Sequence, residues 1–228
     1  MAYSIEEILH YGREWSFHKT SPNGRWRSWE HCYTVFSSCK GVELSDADYD
    51  FLALHLGFYL ASWGMYRGSC FVLHRDYKIH IPAVKAIMNP DYHSLWSIKC
   101  ADYLAEPNNL TQLMAVSCDL MQHYDPIRDE VSVALGKAEP ESDLSQTLIT
   151  KILMGAMGCV PAYDTLFVKG RRGVIRERSY SRESITALSK LWVRHEVEFE
   201  ALRAEVSSPG LLYPQMKVID MCFNSRGQ

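Results

Sequence analysis

Residues 145–172 read SQTLITKILMGAMGCVPAYDTLFVKGRR. The first half carries one charge, Lys151, in an otherwise apolar run that reads as a buried helix. Gly158 and Pro161 break it. A lone aspartate, Asp164, follows, and then a cluster of cations. The stretch therefore puts a carboxylate after a buried helix and before a segment that attracts phosphate. Asp164 is placed to cap the turn 165–169. The same geometry gives it a second use, because backbone N–H groups at a helix start orient a carboxylate and keep it ionised. A carboxylate so fixed stabilises positive charge developing on a sugar ring and orients an attacking water, the demand made when a glycosidic bond breaks.

The flanking sequence reads as helix throughout. Helices are predicted over 4–10, 29–37, 82–88, 93–105, 108–124 and 125–135, with a turn and another helix in 67–80. Ser45 and Asp48 form a capping box for a very apolar helix, 51–66 (FLALHLGFYLASWGMY). Apolar side chains surround this helix, which marks it as the buried centre. It is short for a bilayer and carries His55, so a membrane span is not expected. Ser181 caps a long helix, 182–206, and Pro214 opens a last one, 214–223. The stretch 11–29 reads as a loop, its tryptophans either pinning it down or meeting nucleic acid. No alternating strand pattern is present. The expectation is an all-α chain of about ten helices, one domain over 1–228, with a lobe junction near 136–143.

With 228 residues, 47% of them hydrophobic, the chain has enough apolar surface for a sizeable core. A net charge of −3 means that any nucleic acid must be met by a local concentration of cations. That concentration is KGRRGVIRER (169–178), with five cations and one acid. The acids of 125–143 would repel a phosphate backbone, so nucleic acid is expected elsewhere. Seven scattered cysteines and an N-terminus without a basic n-region suggest reduced thiols in a cytoplasmic protein. The chain has no CxxC pair, phosphate loop or dinucleotide fingerprint, so no metal or cofactor is expected. Arg67 and His74 form an R-x6-H pair like that of HEPN-type ribonucleases, which are also all-helical.

The order TLITKILMGAMG, CVPAY, Asp164-Thr165-Leu166-Phe167 resembles the helix-hairpin-helix DNA glycosylases, over about 25 residues. In that family an apolar helix ends near a glycine, and a proline-containing link leads to the catalytic aspartate. The resemblance implies a compact two-lobed helical arrangement in which Asp164 is catalytic. Bifunctional members carry a lysine about eighteen residues before the aspartate. Ser145 and Gln146 stand there, and Lys151 is at another spacing, so a monofunctional enzyme without a Schiff-base step is expected. The hairpin's Gly-x-Gly is missing from 139–146, which shifts the expected phosphate contacts to Lys169, Arg171, Arg172 and Arg176, with Gln146.

Along its whole length the chain is similar to small bacterial anti-phage glycosylases that act on glucosylated hydroxymethylcytosine. This implies double-stranded DNA carrying modified bases as partner, a flipped nucleotide, and an abasic product. Trp63, Tyr66 and Tyr163 are the aromatic candidates for the base pocket, and Arg67 and Ser69 the hydrogen-bonding ones. The other readings are a HEPN-like ribonuclease using Arg67 and His74, and a non-catalytic helical interaction module.

Overall fold

The computed structural model describes residues 4–17, 23–68, 70–136 and 146–228. Among them the chain is all-α: α1 Ile5–Phe17, α2 Arg27–Cys39, α3 Asp46–Ser62, α4 Ile81–Ile87, α5 Cys100–Ala105, α6 Pro107–Ala134, α7 Gln146–Ala156, α8 Thr165–Gly170, α9 Arg182–Arg194, α10 Glu196–Val206 and α11 Gln215–Arg226. Short 3₁₀ turns cover Phe71–His74, Tyr77–His80 and Pro90–Leu95. Among the described residues no helix is long and apolar enough to cross a membrane, and no group of three or more His, Cys, Asp or Glu is placed to hold a metal ion. The expected lobe junction and the hairpin segment fall almost wholly in 137–145, outside the described residues.

Local signals explain several helix starts. Ser45 and Asp48 form the reciprocal capping box, the Asp48 N–H donating to Ser45 Oγ and the Ser45 N–H to Asp48 Oδ2. Ser181 accepts from the Ser184 N–H at the start of α9. Elsewhere the chain departs from the sequence pattern. Helix α1 runs on through 11–17, where the sequence suggests loop. The two helices expected over 108–135 are one, with Pro126 inside it. A proline there frees the carbonyl four residues back, and that residue, Gln122, is exposed to water. The single helix expected over 182–206 is two, broken at His195, whose ψ of 39° is non-helical. Two turns of 3₁₀ helix stand where 67–80 suggests one helix.

The centre of the molecule is α7 rather than α3. Leu148 through Ala156 is buried without interruption, and each of Leu148, Ile149, Ile152, Leu153 and Met154 contributes about 1.5–3 kcal/mol by leaving water. Helix α3, expected to be buried all round, is 52% exposed at Phe51, 48% at Leu54 and 57% at Phe58. These positions, at i, i+3 and i+7, form one outward stripe. Its inner face packs on α7, where Gly155 leaves the space taken by the Tyr59 ring: a Cβ would stand 2.4 Å from Tyr59 Cε1.

Helix α11 is likewise buried from Gln215 through Ser225, against α1 and α8. Two glycines set the α8–α11 approach. A Cβ on Gly170 would meet the Phe223 carbonyl oxygen at 1.8 Å, and one on Gly227 the Leu166 carbonyl oxygen at 2.0 Å. Any side chain at either position forces the helices apart. Their close approach brings Asp164, at the head of α8, within reach of α11.

Candidate active site around Asp164

Asp164 caps α8 and also opens into a cavity. Its backbone is extended, and Oδ1 accepts from the Phe167 N–H at 3.0 Å. Asn224 Nδ2, from α11, stands 3.3 Å from Oδ1 and 3.5 Å from Oδ2. The carboxylate is thus held from the head of its own helix and from a second helix, with its side chain 19% exposed.

The neighbour that sequence spacing excludes is Lys151. From the second turn of α7 its Nζ reaches 3.7 Å from Asp164 Oδ2. Though distant in sequence, the two groups meet because the chain turns back after Gly158. Lys151 Nζ also donates to the Trp63 carbonyl at 2.8 Å. That carbonyl is presented by the end of α3. Gly64, at φ 77°, closes the helix with bonds from Met65 N–H to the Leu60 carbonyl and from Gly64 N–H to the Ala61 carbonyl. This is the glycine-terminated C-cap in which the flanking carbonyl is left for another donor. Burial holds the Lys151 amine below the usual lysine range, opposed by the attraction of Asp164 and Asp220.

A cavity of about 360 Å³ opens over this pair. Arg25, Ser62, Trp63, Tyr66 and Arg67 form its walls with Lys151, Asp164 and Asn224. Three cations and one carboxylate therefore line the same cavity. Trp63 is held at its edge by Nε1 donating to Ser28 Oγ at 3.1 Å, and the Arg25 guanidinium lies over its ring at 5.3 Å. Tyr66 Oη is 2.8 Å from His80 Nε2.

Of the candidates read from sequence, Trp63, Tyr66, Arg67 and Asp164 converge here. Tyr163 does not line the cavity. It is buried among Phe167 and Tyr180, with its hydroxyl bonded to Ser184. Ser69 lies outside the described residues. His74 is exposed and does not line the cavity that Arg67 lines, so the R-x6-H pair does not share this cleft.

In the basic segment, Lys169 lies in the last turn of the short α8, and Arg172 and Arg176 lie beyond its far end, about 9 Å or more along the axis from Asp164 at the usual helical rise. Arg171, expected to contact phosphate, is instead 1% exposed and points inward, over the Tyr163 and Phe167 rings, with Nη1 donating to Ser184 Oγ at 3.3 Å. A guanidinium so enclosed does not touch a duplex from this position. Gln146 is exposed, but its Oε1 accepts from the Tyr180 N–H at 2.9 Å and tethers that loop.

Sequence reasoning misses Lys151, Asn224, Arg25 and a second buried pair. On α11, Lys217, Asp220 and Asn224 lie at i, i+3 and i+7, a polar stripe on a buried helix. Polar residues at helical spacing in QMKVIDMCFNSR are the signal that points to it. Lys217 Nζ donates to Asp220 Oδ2 at 3.1 Å and lies 4.6, 4.9 and 5.6 Å from the Trp15, Trp29 and Trp63 ring centres. Thus Trp15 and Trp29 enclose a cation in the core. Comparison of the chain with models of known families, with curated proteins and with solved structures gives no match in any of the three.

Proposed function

We propose that the protein is a DNA glycosylase that hydrolyses the N-glycosidic bond of a flipped, modified nucleotide. The observation that carries this reading is the doubly held Asp164 carboxylate at the wall of a polar cavity bordered by Trp63, Tyr66 and Arg67. In this reaction the C1′–N bond breaks and its electron pair leaves with the base. A water oxygen bonds to C1′, and Asp164 orients that water and takes its proton. The same carboxylate stabilises the positive charge that builds on the sugar. Walls rich in hydrogen-bonding groups suit a base with a polar adduct, and the sequence resemblance suggests glucosylated hydroxymethylcytosine in phage DNA, attacked in the cytoplasm as a defence. Arg172 and Arg176 supply phosphate contacts. The test is abasic-site formation on glucosylated and unmodified phage DNA by the wild type and Asp164→Asn. Equal activity of the folded variant removes the assignment.

Lys151 favours a second reading of the same site. A buried amine with a lowered pKa beside a carboxylate is a nucleophile once neutral. It would attack the C1′ aldehyde of the open abasic sugar, lose water to form an imine, and permit elimination of the 3′ phosphate. Because its pKa is lowered, the neutral amine is populated at a lower pH than for an ordinary lysine near ~10.4. Borohydride trapping of a protein–DNA adduct should then rise with pH and level off below that value. Absence of an adduct, with abasic sites still formed, leaves hydrolysis alone.

A further inference from the structure

Behind Tyr66 a buried chain of hydrogen bonds runs away from the cavity. Tyr66 Oη lies 2.8 Å from His80 Nε2, and His80 Nδ1 lies 2.6 Å from Tyr124 Oη. His80 and Tyr124 are fully buried. Burial pushes the imidazole down to about 3, so it is neutral at working pH, with one N–H and one lone pair. Which nitrogen carries the proton follows from Tyr124. Its hydroxyl has His80 Nδ1 as its one hydrogen-bond partner among the described residues. A buried O–H without an acceptor is costly, so Tyr124 donates to Nδ1. The proton of His80 is then on Nε2 and is donated to Tyr66 Oη. Tyr66 makes no other hydrogen bond among the described residues, and its own O–H is left over, on a residue that lines the cavity. A Cβ at Gly57 on α3 would make ordinary contact with His80 Cδ2 and Tyr66 Oη, both at 3.6 Å, and crowd Tyr77 Cβ at 3.1 Å.

We infer that Tyr66 presents its phenolic O–H as a fixed hydrogen-bond donor to the cavity's occupant, aimed by the positioning residues His80 and Tyr124. Resting on the glycosylase reading, its acceptor is an oxygen or nitrogen of the departing base. The base leaves with the electron pair of the broken bond, and a preorganised donor stabilises that charge as it forms. Tyr66 keeps its own proton throughout.

Two measurements test this. In protein labelled with ¹⁵N-histidine, the ring nitrogens of His80 should report the Nε2–H tautomer; an Nδ1–H tautomer overturns the proposal whatever the protein's activity. On modified DNA, Tyr66→Phe should slow single-turnover base release by about 10- to 100-fold, toward the range seen for loss of one preorganised donor, with a smaller change in DNA affinity. Tyr124→Phe, remote from the cavity, should slow it several-fold, and should add nothing in the Tyr66→Phe background. Additive losses, or a Tyr66→Phe rate equal to wild type, overturn it. A wild-type protein that releases no base from any DNA overturns the glycosylase reading and the base as acceptor, while the tautomer still decides the wiring.

Discussion

Lys151 and Lys217 are both buried, both paired with an aspartate, and both in contact with Trp63, one through its carbonyl and the other through its ring. Their surroundings differ. Lys217 is ringed by indoles, its partner Asp220 lies 3.1 Å away, and the other Asp220 oxygen accepts from the Ala162 N–H at 3.0 Å. Both charges of that pair are engaged, and neither residue lines the cavity. Lys151 and Asp164 stand farther apart, at 3.7 Å, with open space in front of them. Burial and pairing alone therefore do not distinguish the proposed site. What distinguishes it is a pair held from behind and left free on one side.

This contrast predicts opposite phenotypes. Asp164→Asn should reduce base release by at least about a hundredfold, the cost of removing one charged or donor group from such a site. Asparagine caps a helix nearly as well as aspartate, so thermal unfolding should hardly shift. Lys217→Met should do the reverse. Leaving Asp220 buried without its partner costs about 3–5 kcal/mol, read as a lower denaturant midpoint, while base release per folded molecule is retained. If Lys217→Met folds normally and loses turnover, the enclosed pair belongs to the chemistry and the contrast fails.

The double variant Lys217→Met/Asp220→Asn sharpens the point. It removes both charges, and the asparagine amide keeps an acceptor for the Ala162 N–H. A buried pair replaced whole is often neutral in stability, so about 2–3 kcal/mol of the single variant's loss should return. The pH dependence offers an independent check. Burial raises the pKa of Asp220, so above the unfolded value near ~3.9 the folded state holds more protons than the unfolded one. Stability from this residue therefore falls as pH rises through that window. Chemical denaturation across the acid range should show a more positive slope for Asp220→Asn than for wild type; equal slopes would mean that Asp220 titrates normally.

The parts legible in sequence are those governed by local chemistry. Helical class, the caps at Ser45 and Ser181, and the N-cap role of Asp164 follow from residues within about four positions of each other. Pairing across elements is not legible. The spacing of Lys151 from Asp164 does not match the family resemblance, yet a turn after Gly158 makes spacing a poor guide to distance. Asn224 and Lys217 sit on a helix whose burial depends on Gly170 and Gly227; the polar spacing within 214–226 marks a common face but does not say that the face is buried. Apolar content also misleads at α3: Phe51, Leu54 and Phe58 are as apolar as a core face but lie on the outside. Arg171 misleads in the opposite sense, since a run of cations conceals which of them turns inward.

The basic segment repeats the same contrast on a smaller scale, and gives the mildest test. Arg171 is enclosed by Tyr163, Phe167 and Ser184, whereas Arg172 and Arg176 lie beside it without that enclosure. Replacing Arg172 or Arg176 with alanine should weaken DNA binding across sequences and lower the slope of log affinity against log salt by about one for each phosphate no longer neutralised. Arg171→Met should leave that slope unchanged and alter stability instead, because it removes an inward cation whose Nε and Nη2 have no partner among the described residues. The sign of its stability change is itself informative. A gain would mean that the cost of burying those unpaired groups outweighs the cation–π contacts; a loss would mean that the contacts with the two rings dominate. If Arg171→Met lowers the salt slope as Arg172→Ala does, the segment opens on binding, and the enclosed arginine is a phosphate contact held in reserve.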